Sequence, residues 1–201
     1  MRISDSYKNL GKSLAFISLL GLAQMAQAVI PVSDGSKLAY DAKKQIGITT
    51  SYDPTYRKLD FPRGDVPINT GVCTDVIIRA YRLQNIDLQQ LLNHDMKSNW
   101  SSYPKTWGLK STDKNIDHRR VPNLEVFFAR HGQSLSITDK DSFQAGDIVT
   151  WRLPNSNLPH IGIVSDKAAA DGTPLIIHNI GRGTQEENIL YVYPIHKHFR
   201  Y

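Results

Sequence analysis

The sequence has a single cysteine, Cys73, in 201 residues. One cysteine excludes any disulfide framework within the chain. Beyond the first 28 residues there is no apolar run approaching the ~20 residues that a membrane span needs, no internal repeat and no Ser/Gly-rich linker. A strong charge of either sign is also missing. The chain carries 24 Lys and Arg against 19 Asp and Glu, a formal net charge of +5, with no stripe or run of the kind that nucleic-acid binding requires. What is present is a hydrophobic share of 40%, which supports one folded globule with a real core rather than a disordered chain.

Residues 1–28 have the make-up of a secretory signal. Arg2, Lys8 and Lys12 form a positive start, Leu14 to Ala23 a short apolar core, and Ala26-Gln27-Ala28 a small-x-small cleavage site. The expected mature chain begins near Val29 and lies in the periplasm or outside the cell. No cysteine near the cleavage site offers a lipoprotein attachment point. The leader holds three basic residues against Asp5, so its removal lowers the formal charge from +5 to +3. That mild excess suits contact with an acidic polymer such as a cell wall. Exported chains usually pair their cysteines, so a lone thiol calls for a chemical reason.

The mature chain reads as a single α+β domain over residues 29–201, helix-rich first and strand-rich second. Asp34 can cap a helix with Leu38, Ala42 and Ile46 on one face, ending at Gly47. Residues 49–71, with Pro54, Pro62, Gly64 and Pro67, read as an ordered loop leading to Cys73. A helix starts at Cys73 with Val76, Ile77, Ala80 and Tyr81 at core spacing. Asp87 and Gln90 resemble a capping box for the next helix, through Leu88, Leu91, Leu92 and Met96. A polar stretch with Trp100, Pro104 and Trp107 is long enough for a functional surface loop, and a helix with Leu124, Phe127 and Phe128 on one face follows Asn123. Four strands are expected at Ile148 to Leu153, Ile161 to Ser165, Leu175 to His178 and Ile189 to Tyr193, separated by turn-forming segments. Together these predict helices packed on a small antiparallel sheet.

Cys73 falls at the first turn of its helix, where free backbone N–H groups and the positive end of the helix dipole favour a thiolate. The alternative is a buried structural cysteine. Gly71, just ahead, permits close backbone approach. The nucleophile reading predicts faster alkylation of the native than of the unfolded protein. A thiol needs a base, and His160, in Leu158-Pro159-His160-Ile161-Gly162-Ile163-Val164, sits at a strand start with Gly162 leaving room on the same face. His178, in the following strand, can hold the His160 ring in the serving tautomer. Asn179 offers the same hydrogen-bonding ability, but strand alternation lets only one of the two point at His160. His196 and His198 are two apart without a carboxylate at recognisable spacing, so no metal site is expected. His94, His118 and His131 read as structural or exposed.

These residues carry a resemblance. Cys73 at a helix start, Gly146-Asp147-Ile148-Val149 entering a strand, His160-Ile161-Gly162-Ile163-Val164 in the next and Ile177-His178 in the one after resemble the NlpC-like, papain-fold cell-wall hydrolases. The Gly-Val-Cys-Thr-Asp-Val, Pro-His-Ile-Gly-Ile-Val and Ile-His-Asn-Ile-Gly blocks are closer to one bacterial family of unknown function within that group. The resemblance implies a papain-like, NlpC-like fold in which Cys73 is the nucleophile, His160 the base and His178 the orienting residue. It also implies a tyrosine lining the site ahead of the cysteine, for which Tyr56 is the nearest counterpart and Tyr52 its rival. Better-studied members have Asp-Cys-Ser-Gly where this chain has Val72-Cys73-Thr74-Asp75, so their substrate contacts do not transfer.

The resulting expectation is a secreted cysteine peptidase or amidase, monomeric, acting on peptidoglycan or its peptides without metal or organic cofactor. A catalytically silent wall-binding or inhibitor module and acyl-transfer or thioesterase chemistry are the alternatives.

Overall fold

The computed structural model describes residues 33–201; the expected signal segment lies outside the described residues. The first helix, α1 (Gly35–Lys43), begins where the Asp34 carboxylate accepts the Lys37 N–H at 3.1 Å. It buries Leu38, Ala39 and Ala42 and ends earlier than Gly47. Ile46 therefore lies past the helix and is exposed.

The loop that follows is organised from one point. Arg79 donates to Asp65, to the Thr49 hydroxyl and to the Val66 carbonyl, pinning the chain on either side of a short parallel pair, β1 (Ser51–Tyr52) and β2 (Thr70–Gly71). Next come α2 (Cys73–Leu83) and α3 (Leu88–Ser98), the latter capped by Asp87 on the Gln89 N–H at 3.2 Å. The aromatic polar stretch and a short 3-10 turn at Asp117–Arg119 lead to α4 (Val121–His131), which has Pro122 in its first turn, where the missing N–H costs nothing.

The second half forms a six-stranded sheet, antiparallel throughout, from β3 (Gln133–Ser134), β4 (Ile148–Arg152), β5 (Pro159–Ala168), β6 (Pro174–His178), β7 (Gln185–Glu187) and β8 (Ile195–Arg200). Its order is β3-β8-β4-β5-β6-β7. Three of the four expected strands are present. The fourth, Ile189 to Tyr193, is corrected: that segment is a turn. Leu190 is buried there, and its carbonyl accepts the Trp151 indole N–H at 3.0 Å. Apolar alternation in this case reflects a turn lying against a sheet face, and β7 and β8 flank it as the true strands.

Strand alternation gives the sheet two apolar faces. Ile148, Ile161, Ile163, Ile177 and Phe199 pack with the helices in the main core. Val149, Trp151, Val164 and Ile176 pack on the other side with Phe143 and Leu190. Among the described residues no helix is long and apolar enough to cross a membrane.

Candidate active site

Three elements converge at the beginning of β5. Cys73 opens α2, and its helix start is built by its neighbours. Val72 has no capping side chain, so Asp75 reaches back to accept the Val72 N–H at 2.6 Å. Asp75 also takes two hydrogen bonds of 2.9 Å from the Arg119 guanidinium, and the Thr74 hydroxyl donates to the Arg119 carbonyl at 3.1 Å. The Cys-Thr-Asp sequence thus ties α2 to the chain just before α4. Gly71 keeps the space beside it tight: a Cβ there would sit 3.1 Å from an Asp75 carboxylate oxygen and 3.3 Å from the Arg79 guanidinium, which would have to give by a few tenths of an ångström.

His160 and His178 meet across the sheet. The Ile163–Ile177 pairing puts His178 opposite Gly162, and the vacancy left by Gly162 lets the two imidazoles close to 3.0 Å between His160 Nε2 and His178 Nδ1. A Cβ on Gly162 would lie 2.5 Å from the Ile176 methyl and 3.3 Å from the His178 Cβ. Trp151 flanks the His160 ring, centroids 5.6 Å apart.

One member of this chain of contacts is Glu187, which the sequence reading missed. Its Oε2 is 3.0 Å from His178 Nε2, and its other oxygen accepts from Arg182. A carboxylate only accepts, so His178 Nε2 carries the proton and His178 Nδ1 must accept from His160 Nε2–H. His160 Nδ1 is left as the basic nitrogen. Nothing in the spacing of Glu187 announced this, because β7 was not legible as a strand.

Asn179 faces the other way. Its amide N–H groups donate to the Ser51 and Gly71 carbonyls, at 3.2 and 3.1 Å, while its oxygen accepts from the Gly181 and Gly183 N–H groups. It fastens the segment leading into Cys73 and does not touch His160.

Cys73 and His160 line one cavity of about 510 Å³. It opens where Leu158 and Pro159 lead into β5, and Tyr52, Trp107 and Arg120 also line it. Cys73 packs with Ile161 in the helix-side core, whereas alternation turns His160 toward Trp151. No hydrogen bond among the described residues joins the sulfur to the imidazole. Of the two tyrosines, Tyr52 lines the cavity. Tyr56, the nearer counterpart by sequence, is exposed and is held away from it by Asp113 and Asn115, each at 3.0 Å.

Burial governs the resting charge states. It pushes the Cys73 thiol up to about 12; backbone hydrogen bonds at Ile161, Thr74 and Cys73 pull against it and the Asp75 charge adds to it. The helix-start argument for a resting thiolate is therefore outweighed by desolvation. His160 is depressed to about 3, by burial first and then by the neighbouring His178. His178 is lowered by burial, with Glu187 acting in the opposite direction. Tyr52 is raised by burial and by Cys73 beside it. At rest the site holds a neutral thiol and a neutral imidazole.

The remaining histidines lie elsewhere. His196 contacts Glu125 at 3.0 Å and His198 contacts Asp147 at 2.8 Å, partners distant in sequence that spacing did not reveal. His118 is buried and depressed to about 3 by that burial. His131 lies tilted against Phe127, ring centroids 4.7 Å apart, and His94 is exposed. Among the described residues no group of three His, Cys, Asp or Glu side chains is disposed to hold a metal.

The fold and this cleft define an α+β chain with a thiol and a histidine pair gathered at one end of an antiparallel sheet. By sequence, the chain belongs to the family described as "Domain of unknown function (DUF1287)", whose profile matches residues 39–201. It is 49% identical over 200 residues, 94% of this chain and 97% of the relative, to "Uncharacterized protein YijF" of Escherichia coli (strain K12). Among solved structures it is similar to NlpC1 from Trichomonas vaginalis, with a TM-score of 0.46 and 18% identity over 86% of this chain. NlpC2 from the same organism gives a TM-score of 0.45 and 15% identity over 85%. The chain spans about half the length of each, 46% and 48%.

Proposed function

We infer that this protein is an exported cysteine peptidase or amidase that cleaves an amide bond in peptidoglycan stem peptides, with Cys73 as nucleophile, His160 as base and His178 as its orienting partner. The observation that carries the reading is the relay from Glu187 through His178 to His160, which leaves Nδ1 as the basic nitrogen of a histidine that lines the same cavity as Cys73. As the sulfur attacks the carbonyl carbon, His160 Nδ1 takes the thiol proton and then delivers it to the departing amine. Water hydrolyses the resulting thioester and frees the thiol. In this reading the Cys73 backbone N–H, at the start of α2, donates to the developing oxyanion. With both groups neutral at rest, proton transfer accompanies bond formation rather than preceding it. The signal-like residues 1–28 support delivery to the periplasm or cell exterior, and a peptidoglycan partner fits the mildly basic chain.

A second reading, a wall-binding module without turnover, is favoured by one observation, the burial of Cys73 at 5% exposure. Mature protein incubated with peptidoglycan and with isolated stem peptides, its products weighed by mass spectrometry, separates the two. Cleavage by the natural protein and none by Cys73→Ser is the expected result. Sedimentation with the wall but unchanged peptides identifies the binding module.

A further inference from the structure

Every other arginine among the described residues donates a side-chain hydrogen bond. Arg120 donates none. Its Nη1 is buried without a hydrogen bond and forms an ion pair with Asp117 at 3.6 Å, whereas Nε and Nη2 have no hydrogen-bond partner. The guanidinium instead lies over the Trp107 ring, 4.1 Å from its centroid. Contact of this kind holds an arginine against the ring while leaving its Nε–H and Nη2–H edge, the one not turned to Asp117, available.

The position is as telling as the valence. Arg120 and Trp107 line the same cavity as Cys73 and His160, and no Asp or Glu is among the lining residues. Arg119 also lines it, but Asp75 occupies its donors. Two helix starts, those of α2 at Cys73 and α4 at Val121, open on this cavity and add positive potential. Asp117, Asp113 and Tyr56 offset part of the charge, and Asp117 pairs with Nη1 alone, yet none accepts a hydrogen bond from Arg120. The peptide segment carrying Arg120 is fixed by Thr74 and Asp75 through Arg119, which places this cation relative to the thiol.

We propose that Arg120, stacked on Trp107, is a carboxylate-binding subsite of the Cys73 cleft, which makes acidic peptides its preferred ligands. The assignment rests on the peptidase reading for the choice of peptide, and a planar guanidinium suits a carboxylate through two parallel hydrogen bonds.

The test measures binding without turnover. Calorimetry on the mature Cys73→Ala protein compares L-Ala-γ-D-Glu-meso-diaminopimelate with the same peptide amidated at every carboxylate. Adding Arg120→Gln should weaken the free-acid peptide about ten- to a hundredfold and leave the amidated one unchanged, and Arg120→Lys should recover part of the loss. Trp107→Ala, at an exposed ring, should weaken the same ligand a few-fold and serves if Arg120→Gln does not fold. Equal affinity for acid and amide, equal losses for both, or no binding of either overturns the subsite. Acid-selective binding that depends on Arg120, in a protein whose natural form cleaves nothing, would sink the peptidase reading and leave the subsite standing.

Discussion

Glu187 holds His178 by its Nε2, 3.0 Å from the carboxylate, and so decides the protonation pattern one hydrogen bond further on, at His160. Because the carboxylate has no proton to give, each imidazole in turn is left with one assigned donor and one assigned acceptor. The hydrogen-bonded relay therefore extends one strand beyond the histidine pair, and it can be probed without touching the thiol.

Glu187→Ala should lower kcat about tenfold with little change in KM, since it acts on ring tautomer rather than on substrate. His178→Ala should cost more, and a loss confined to KM in either variant would contradict the relay. Asn179→Ala should behave differently, because its side chain satisfies four backbone groups. The expected outcome is a destabilisation of about 2–3 kcal/mol with a smaller kinetic effect, seen as a lowered denaturation midpoint.

The thiol should be slow to alkylate in the native state. With Cys73 buried and its pKa near 12, iodoacetamide at pH 8 should label native protein at least about a hundredfold more slowly than urea-unfolded protein, by loss of thiolate and of access. Faster native labelling would show that the cleft opens and solvates the sulfur.

Gly162→Ala tests the space on which the histidine contact depends. A methyl 2.5 Å from the Ile176 side chain has to displace that side chain or the strand that carries it, at a cost of about 1–3 kcal/mol. Separation of the imidazoles should reduce turnover as well. An active variant of unchanged stability would show that β6 accommodates the methyl freely.

Stability should fall as pH falls from 6.5 toward 3. His160 and His118 are both depressed to about 3 in the folded protein, so between those limits the unfolded chain binds protons that the native chain does not. Linkage then makes unfolding more favourable by up to ~1.4 kcal/mol per pH unit for each group. Cys73, raised to about 12, contributes the opposite limb, with stability intact below about 9 and lost as pH rises toward 12. Urea midpoints across pH 4–7 check the acid limb, and His118→Asn should flatten it.

Local chemistry made much of this legible from residues alone. The Asp34 and Asp87 caps, the helix opening at Cys73 and the three strands around His160 and His178 follow from short-range rules of periodicity, capping and turn formation. Parity alone restricted the orienting residue to one of His178 and Asn179, since adjacent strand residues cannot share a face.

What required tertiary structure were the relationships between distant segments. Glu187 reaches His178 only because β7 pairs with β6, and the turn that mimicked a strand at Ile189 to Tyr193 is shaped by Trp151 beneath it. Arg120 and Trp107 came from a stretch legible only as a long polar loop, and Asp113 and Asn115 of that loop hold Tyr56 outside the cavity that Tyr52 lines. The state of the thiol is the clearest division. The sequence by itself placed Cys73 at a helix start, where the local dipole favours ionisation, but desolvation depends on everything packed around the sulfur, and in this protein that burial dominates.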